Sequence, residues 1–127
     1  MKRHTAPWVR KSEDDLAGAR TLAASSPPQK DLVCFHCQQA VEKYLKALLQ
    51  ELGAVVPRTH DLEDLLDLLL PHDGTLAPLR MGLTSLSRYA VEFRYPGPRA
   101  TLRQMQAALR TADHVRSELR TRLGLLN

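Results

Sequence analysis

The chain is predicted to be all α-helical, an up-and-down antiparallel bundle of about five helices. Apolar residues recur every three or four positions along most of its length, and no stretch alternates with period two. Each periodic run also ends at proline or glycine. With 127 residues, 43% hydrophobic and 25% charged, a single domain spanning 1–127 holds enough apolar material for one core.

The first helix is expected to start near Thr5 as N-cap with Pro7 in its first turn, and to carry Trp8, Leu16, Ala19, Leu22 and Ala23. Ser25-Ser26-Pro27-Pro28 stops it, because proline cannot continue the hydrogen-bond ladder. The second runs from about Lys30 to Leu52 and is closed by Gly53 in a left-handed C-cap. Val33, Cys37, Ala40, Val41, Tyr44, Leu45, Leu48 and Leu52 form its apolar face, with His36, Gln39, Lys43, Lys46 and Gln50 opposite. This strong segregation makes it the expected centre of the bundle.

Thr59-His60-Asp61 supplies capping side chains for a third helix from about His60 to Leu70, ended by Pro71. A fourth is expected over about Ala77 to Phe93, stopped by Pro96-Gly97-Pro98. The fifth covers about Arg99 to Leu123 and buries Met105, Ala108, Ala112, Val115 and Leu119.

No apolar run reaches about 18 residues, and the segment MKRHTAPWVRKSEDD has no apolar stretch behind its basic residues. Neither a membrane span nor a secretory signal is therefore expected, and the cytoplasm is the expected location. Aromatic residues at 5% do not make a base-stacking platform. The net charge of +4 is uneven: residues 1–70 carry nine basic and ten acidic side chains, residues 71–127 nine arginines and four acids. An anion-facing surface belongs more naturally to the second half.

Cys34 and Cys37 have the spacing of a zinc-binding pair, but no second pair completes four ligands, and both positions fall on the apolar side of their helix. They are read as small core residues, with no metal site and no cofactor expected. Arg99, Arg103, Arg110 and His114 share one side of the fifth helix, which is either a phosphate-binding face or a solvated helix back. Thr59-His60-Asp61-Leu62 offers an anion site at a helix start or simply a cap. In Arg94-Tyr95-Pro96, arginine complements the helix dipole while tyrosine covers the core with its hydroxyl outward. No phosphate loop, catalytic carboxylate pair or Ser-His-Asp order is present.

Taken together, Phe35-His-Cys-Gln38-Gln39-Ala40-Val-Glu42-Lys43-Tyr44-Leu45-Lys46-Ala47-Leu48, then Pro57-Arg-Thr59-His60-Asp61-Leu62, then Arg94-Tyr95-Pro96, resemble the HEPN family of higher eukaryote and prokaryote nucleotide-binding domains. The resemblance spans nearly the whole chain in the right order. It implies an all-α bundle, a homodimer, and a nucleotide- or nucleic-acid-binding subunit that acts with a minimal nucleotidyltransferase partner in a two-component, toxin-antitoxin-like system. It also assigns nucleotide contacts to Lys43, Lys46, His60, Asp61, Arg94 and Tyr95.

Some members of that family are metal-independent RNases in which four to six residues separate an arginine from the histidine that follows it. No histidine here has that arginine. The nearest approach, Arg110 and His114, has three intervening residues. The sequence therefore favours a non-catalytic subunit. The alternatives are a divergent RNase toxin using Arg110 and His114, and a structural adaptor. All these readings require the Lys43 stripe to approach the His60 and Arg94 corners.

Overall fold

The computed structural model describes residues 1–126. It is built from α1 (Ala6–Ala24), α2 (Lys30–Glu51), α3 (Leu62–Leu69), a 3-10 helix (Gly74–Leu79), α4 (Arg80–Glu92) and α5 (Leu102–Arg122). The described residues contain no strand. Helix α2 packs against all four other α-helices, most extensively against α1 and then α5.

That central position changes what the two sides of α2 do. Cys34 and Leu49 are buried beside the expected apolar residues, and the polar Gln38, Glu42 and Lys46 are buried as well. Lys46, expected on the polar stripe, is only 5% exposed, whereas Leu52, expected inside, is 41% exposed. The reason for the second difference is that α2 ends at Glu51 and Leu52 is its C-cap, beyond the last turn packed against neighbours. Gly53 takes φ +74°, the left-handed conformation expected of it, and the Ala54 amide returns to the Leu49 carbonyl at 3.0 Å.

Where α1 meets α2, the buried Ser12 hydroxyl donates to the Ala40 carbonyl at 2.6 Å, a contact that small side chains permit. Thr5 stands at the N-cap of α1 but its hydroxyl does not cap. It donates instead to Glu51 Oε1 at 2.8 Å, beside the Lys2 amide at 2.8 Å, tying the chain's start to the end of α2.

Three element starts differ from expectation, each for a local reason. Helix α3 begins at Leu62 because Asp61 is the cap, its Oδ1 accepting from the amides of Glu63 (2.9 Å) and Asp64 (3.1 Å). Pro78, with no amide hydrogen to donate, sits in the 3-10 helix, and α4 follows only from Arg80. Helix α5 begins at Leu102, closed by a reciprocal capping box in which Gln104 N donates to Thr101 Oγ1 (3.1 Å) and Thr101 N to Gln104 Oε1 (2.8 Å). Arg99 therefore lies before α5 rather than on it. The same connection is anchored by the Ala100 amide, which donates to Asp31 Oδ1 at 2.8 Å.

A polar network clamps α1, α2 and α5 together. Arg116 grips Glu13 through Nε (2.9 Å to Oε2) and Nη2 (2.8 Å to Oε1), while the Tyr44 hydroxyl donates to Glu13 Oε2 at 2.8 Å. Partial burial works to raise the Glu13 carboxyl, but the Arg116 and Tyr44 hydrogen bonds and the charges of Arg116 and Arg120 outweigh it and hold the group below its ordinary value. Burial pushes the Tyr44 hydroxyl the other way, upward.

Candidate functional site

A cleft of about 400 Å³ opens between α2, the residues before α3, and the C-terminal half of α4. Phe35, Gln38 and Gln39 line it from α2, His60 and Asp61 from the second wall, and Ser87, Ala90, Val91 and Arg94 from the third. The prolines and glycine that stop α4 leave Arg94 just past the helix end, where its guanidinium lies over the Phe35 ring at 5.8 Å. Arg94 is exposed and forms no ion pair among the described residues.

Beneath the cleft lies a chain of polar groups. Glu42, with a side chain only 4% exposed, accepts from Lys46 Nζ at 3.1 Å and lies 3.1 Å from His60 Nδ1 through each of its oxygens. Gln38 Nε2 donates to the His60 carbonyl at 3.1 Å and approaches Glu42 Oε1 at 3.4 Å, and Gln39 Nε2 donates to Gln38 Oε1 at 2.8 Å. Lys46 Nζ also sits 5.7 Å from the centre of the Trp8 ring. A buried lysine and glutamate are thereby paired with each other rather than left in an apolar interior. In the third wall, the Ser87 hydroxyl is buried with no hydrogen-bond partner among the described residues.

The residues singled out from sequence are distributed unevenly over this site. His60, Asp61 and Arg94 line the same cleft. Lys46 reaches it only through Glu42. Lys43 does not line it: its Nζ is paired with Asp15 of α1, whose other oxygen is 3.1 Å from His36 Nδ1. Lys43 thus turns toward α1, away from the stripe that meets His60, because a step of one residue rotates a side chain by about 100°. Tyr95 is 66% exposed and covers no core.

Arg103, Arg110 and His114 are exposed on α5, and none lines the cleft. Cys34 and Cys37 are fully buried, and burial raises their thiols to about 11 and about 12. Among the described residues no group of histidines, cysteines and carboxylates is placed to hold a metal. No helix of those residues is long and apolar enough to cross a membrane.

Reading the residues one by one missed Gln38 and Glu42 as parts of the site. The signal was present, since Gln38, Glu42 and Lys46 are spaced by four and form one ridge of a helix.

Fold and site together define a small all-α bundle with a polar, arginine-bearing cleft at one edge of its central helix. The HEPN domain family model matches residues 5–122, and the chain belongs to that family. The crystal structure of ST0689, an archaeal HEPN homologue, superposes with a TM-score of 0.76 at 26% identity, covering 96% of this chain and 98% of the other. TT1696 from Thermus thermophilus has the same fold, with a TM-score of 0.80 at 22% identity over 94% of this chain and 98% of its own. No curated protein matches the chain.

Proposed function

We propose that the protein is a non-catalytic HEPN subunit that binds a nucleotide, or the end of a nucleic acid, in the cleft between α2, His60 and Arg94. The observation that carries this reading is the convergence of Arg94 and His60 on one concave site beside Phe35 and Gln39. Guanidinium and imidazole suit phosphate oxygens, and Gln39 supplies an amide for a base or sugar. A volume of about 400 Å³ lies within the usual range for small-ligand sites.

In this reading Lys43 and Lys46 serve the framework, because each is held by a carboxylate, and Arg94 and His60 make the anion contacts. Asp61 contributes as the α3 cap that fixes the backbone beside His60. The family supports a homodimer acting with a minimal nucleotidyltransferase. Co-purification of such a partner, and a dimer mass by light scattering, test those two parts.

The cleft itself is tested by calorimetric titration with ATP, GTP and a short RNA. Removing one charged phosphate contact with Arg94→Ala is expected to weaken binding about tenfold or more while leaving the melting temperature unchanged. Binding equal to that of the unaltered protein would remove Arg94 from the site.

A further inference from the structure

His60 is an exposed residue held by a buried one. Its side chain is 78% exposed, yet Nδ1 lies 3.1 Å from both oxygens of Glu42, whose side chain is 4% exposed. An ionised carboxylate only accepts hydrogen bonds, and Glu42 already accepts from Lys46 Nζ at 3.1 Å, with Gln38 Nε2 at 3.4 Å. The hydrogen shared with Glu42 must then belong to the imidazole, on Nδ1. Nε2 has no partner among the described residues and is the nitrogen left for a ligand.

We infer that Glu42 is the positioning residue of this cleft: by holding the Nδ1 hydrogen of His60 it allows a phosphate group to be gripped only by the protonated imidazole, so that ligand binding takes up a proton. The inference rests on the reading of the cleft as a nucleotide site. In the neutral imidazole pinned this way, Nε2 carries a lone pair, which repels phosphate oxygen. Only imidazolium presents an Nε2–H donor. Without Glu42 a neutral imidazole is free to place its hydrogen on Nε2 and donate it to phosphate, and the coupling to protons weakens.

Charged groups come to His60 from several elements, and on its own segment the exposed Arg58 precedes it by two residues. From α2 come Glu42 and, behind it, Lys46. Asp61 follows in sequence with Oδ1 turned to the amides of Glu63 and Asp64. Arg94, at the end of α4, faces it across the cleft. Arg94 keeps its charge throughout the working range, so the comparison with His60→Gln separates the part played by the imidazole from the ligand's own titration.

Two measurements on the full chain test this. In the ligand-free protein labelled with ¹⁵N-histidine, neutral His60, assigned by its absence in His60→Gln, is expected as the Nδ1–H tautomer, which free histidine disfavours. In ATP titrations, affinity is expected to fall about tenfold between about pH 6 and about pH 8, whereas His60→Gln, in which only ATP itself titrates, lacks that fall. Glu42→Leu, which removes the acceptor that a glutamine would keep, is expected to make the profile shallower. Should that variant fail to fold, the tautomer and the comparison with His60→Gln decide alone. An Nε2–H tautomer, or a pH profile identical in the unaltered protein and His60→Gln, overturns the inference and leaves nucleotide binding standing. Absence of ATP binding at both pH values, with the Nδ1–H tautomer present, overturns the nucleotide reading and with it the coupling.

Discussion

Lys46 Nζ lies 3.1 Å from Glu42 Oε2 one helical turn away on α2, and the two side chains are only 6% and 4% exposed. A pair this deep gains little over an apolar pair but is costly to break, because the surviving partner is left as an unmatched buried charge. Lys46→Met is therefore expected to destabilise the protein by about 3 kcal/mol. Adding Glu42→Gln should restore part of the loss, since the stranded charge is gone. Urea unfolding of both single variants and the double variant measures the coupling, and additive losses would contradict it.

The contact of Ser12 with the Ala40 carbonyl makes a second, smaller prediction. The hydroxyl is buried and its bond crosses from α1 to α2 at 2.6 Å. Ser12→Ala is expected to cost about 1 kcal/mol, the usual worth of a buried neutral hydrogen bond. A thermal melt with no shift would mean that the Ala40 carbonyl is served equally well within α2.

Acid should loosen the clamp at Glu13. Its carboxyl is held below the ordinary glutamate value of 4.5, despite burial, by Arg116, Tyr44 and Arg120. A carboxyl lowered by folding contributes stability that is fully present above 4.5 and is lost as the pH falls through the lower folded value. Glu13→Gln should thus be less stable than the unaltered protein at neutral pH and should show a shallower loss on the acid side. Denaturant midpoints measured from neutral pH downward test the sign, and parallel curves would refute it.

The two cysteines should be inert in the folded protein. With thiols raised to about 11 and about 12 by burial, neither offers thiolate at neutral pH. A thiol reagent should label neither in buffer and both in denaturant, and added zinc should leave the melting temperature unchanged. Rapid labelling in buffer would place at least one of them at the surface.

Much of the local structure was legible in the residue order. The stops at Pro27-Pro28, Pro71 and Pro96-Gly97-Pro98, the left-handed Gly53, and the core positions of α5 follow from backbone chemistry and apolar spacing that act within a few residues. Where capping chemistry competes for the same residues, the start shifts by two or three positions, as at Leu62 and Leu102.

The site was legible only in part. His60, Asp61 and Arg94 stood out as polar or charged residues at helix ends, where side chains are free to face a groove, and they line one cleft. Lys43 and Lys46 belonged to the polar arc of an amphipathic helix, and nothing in that arc says what it faces.

The sequence by itself determined five helices, their order and most of their apolar faces, because periodicity and helix caps are properties of short segments. Only the tertiary structure decided that Lys43 meets Asp15 while Lys46 meets Glu42. Helix α2 has neighbours on nearly every side, so a polar residue on it is paired by whatever helix covers it. The cover comes from residues far away along the chain, and the partners of a surrounded helix are therefore settled by packing.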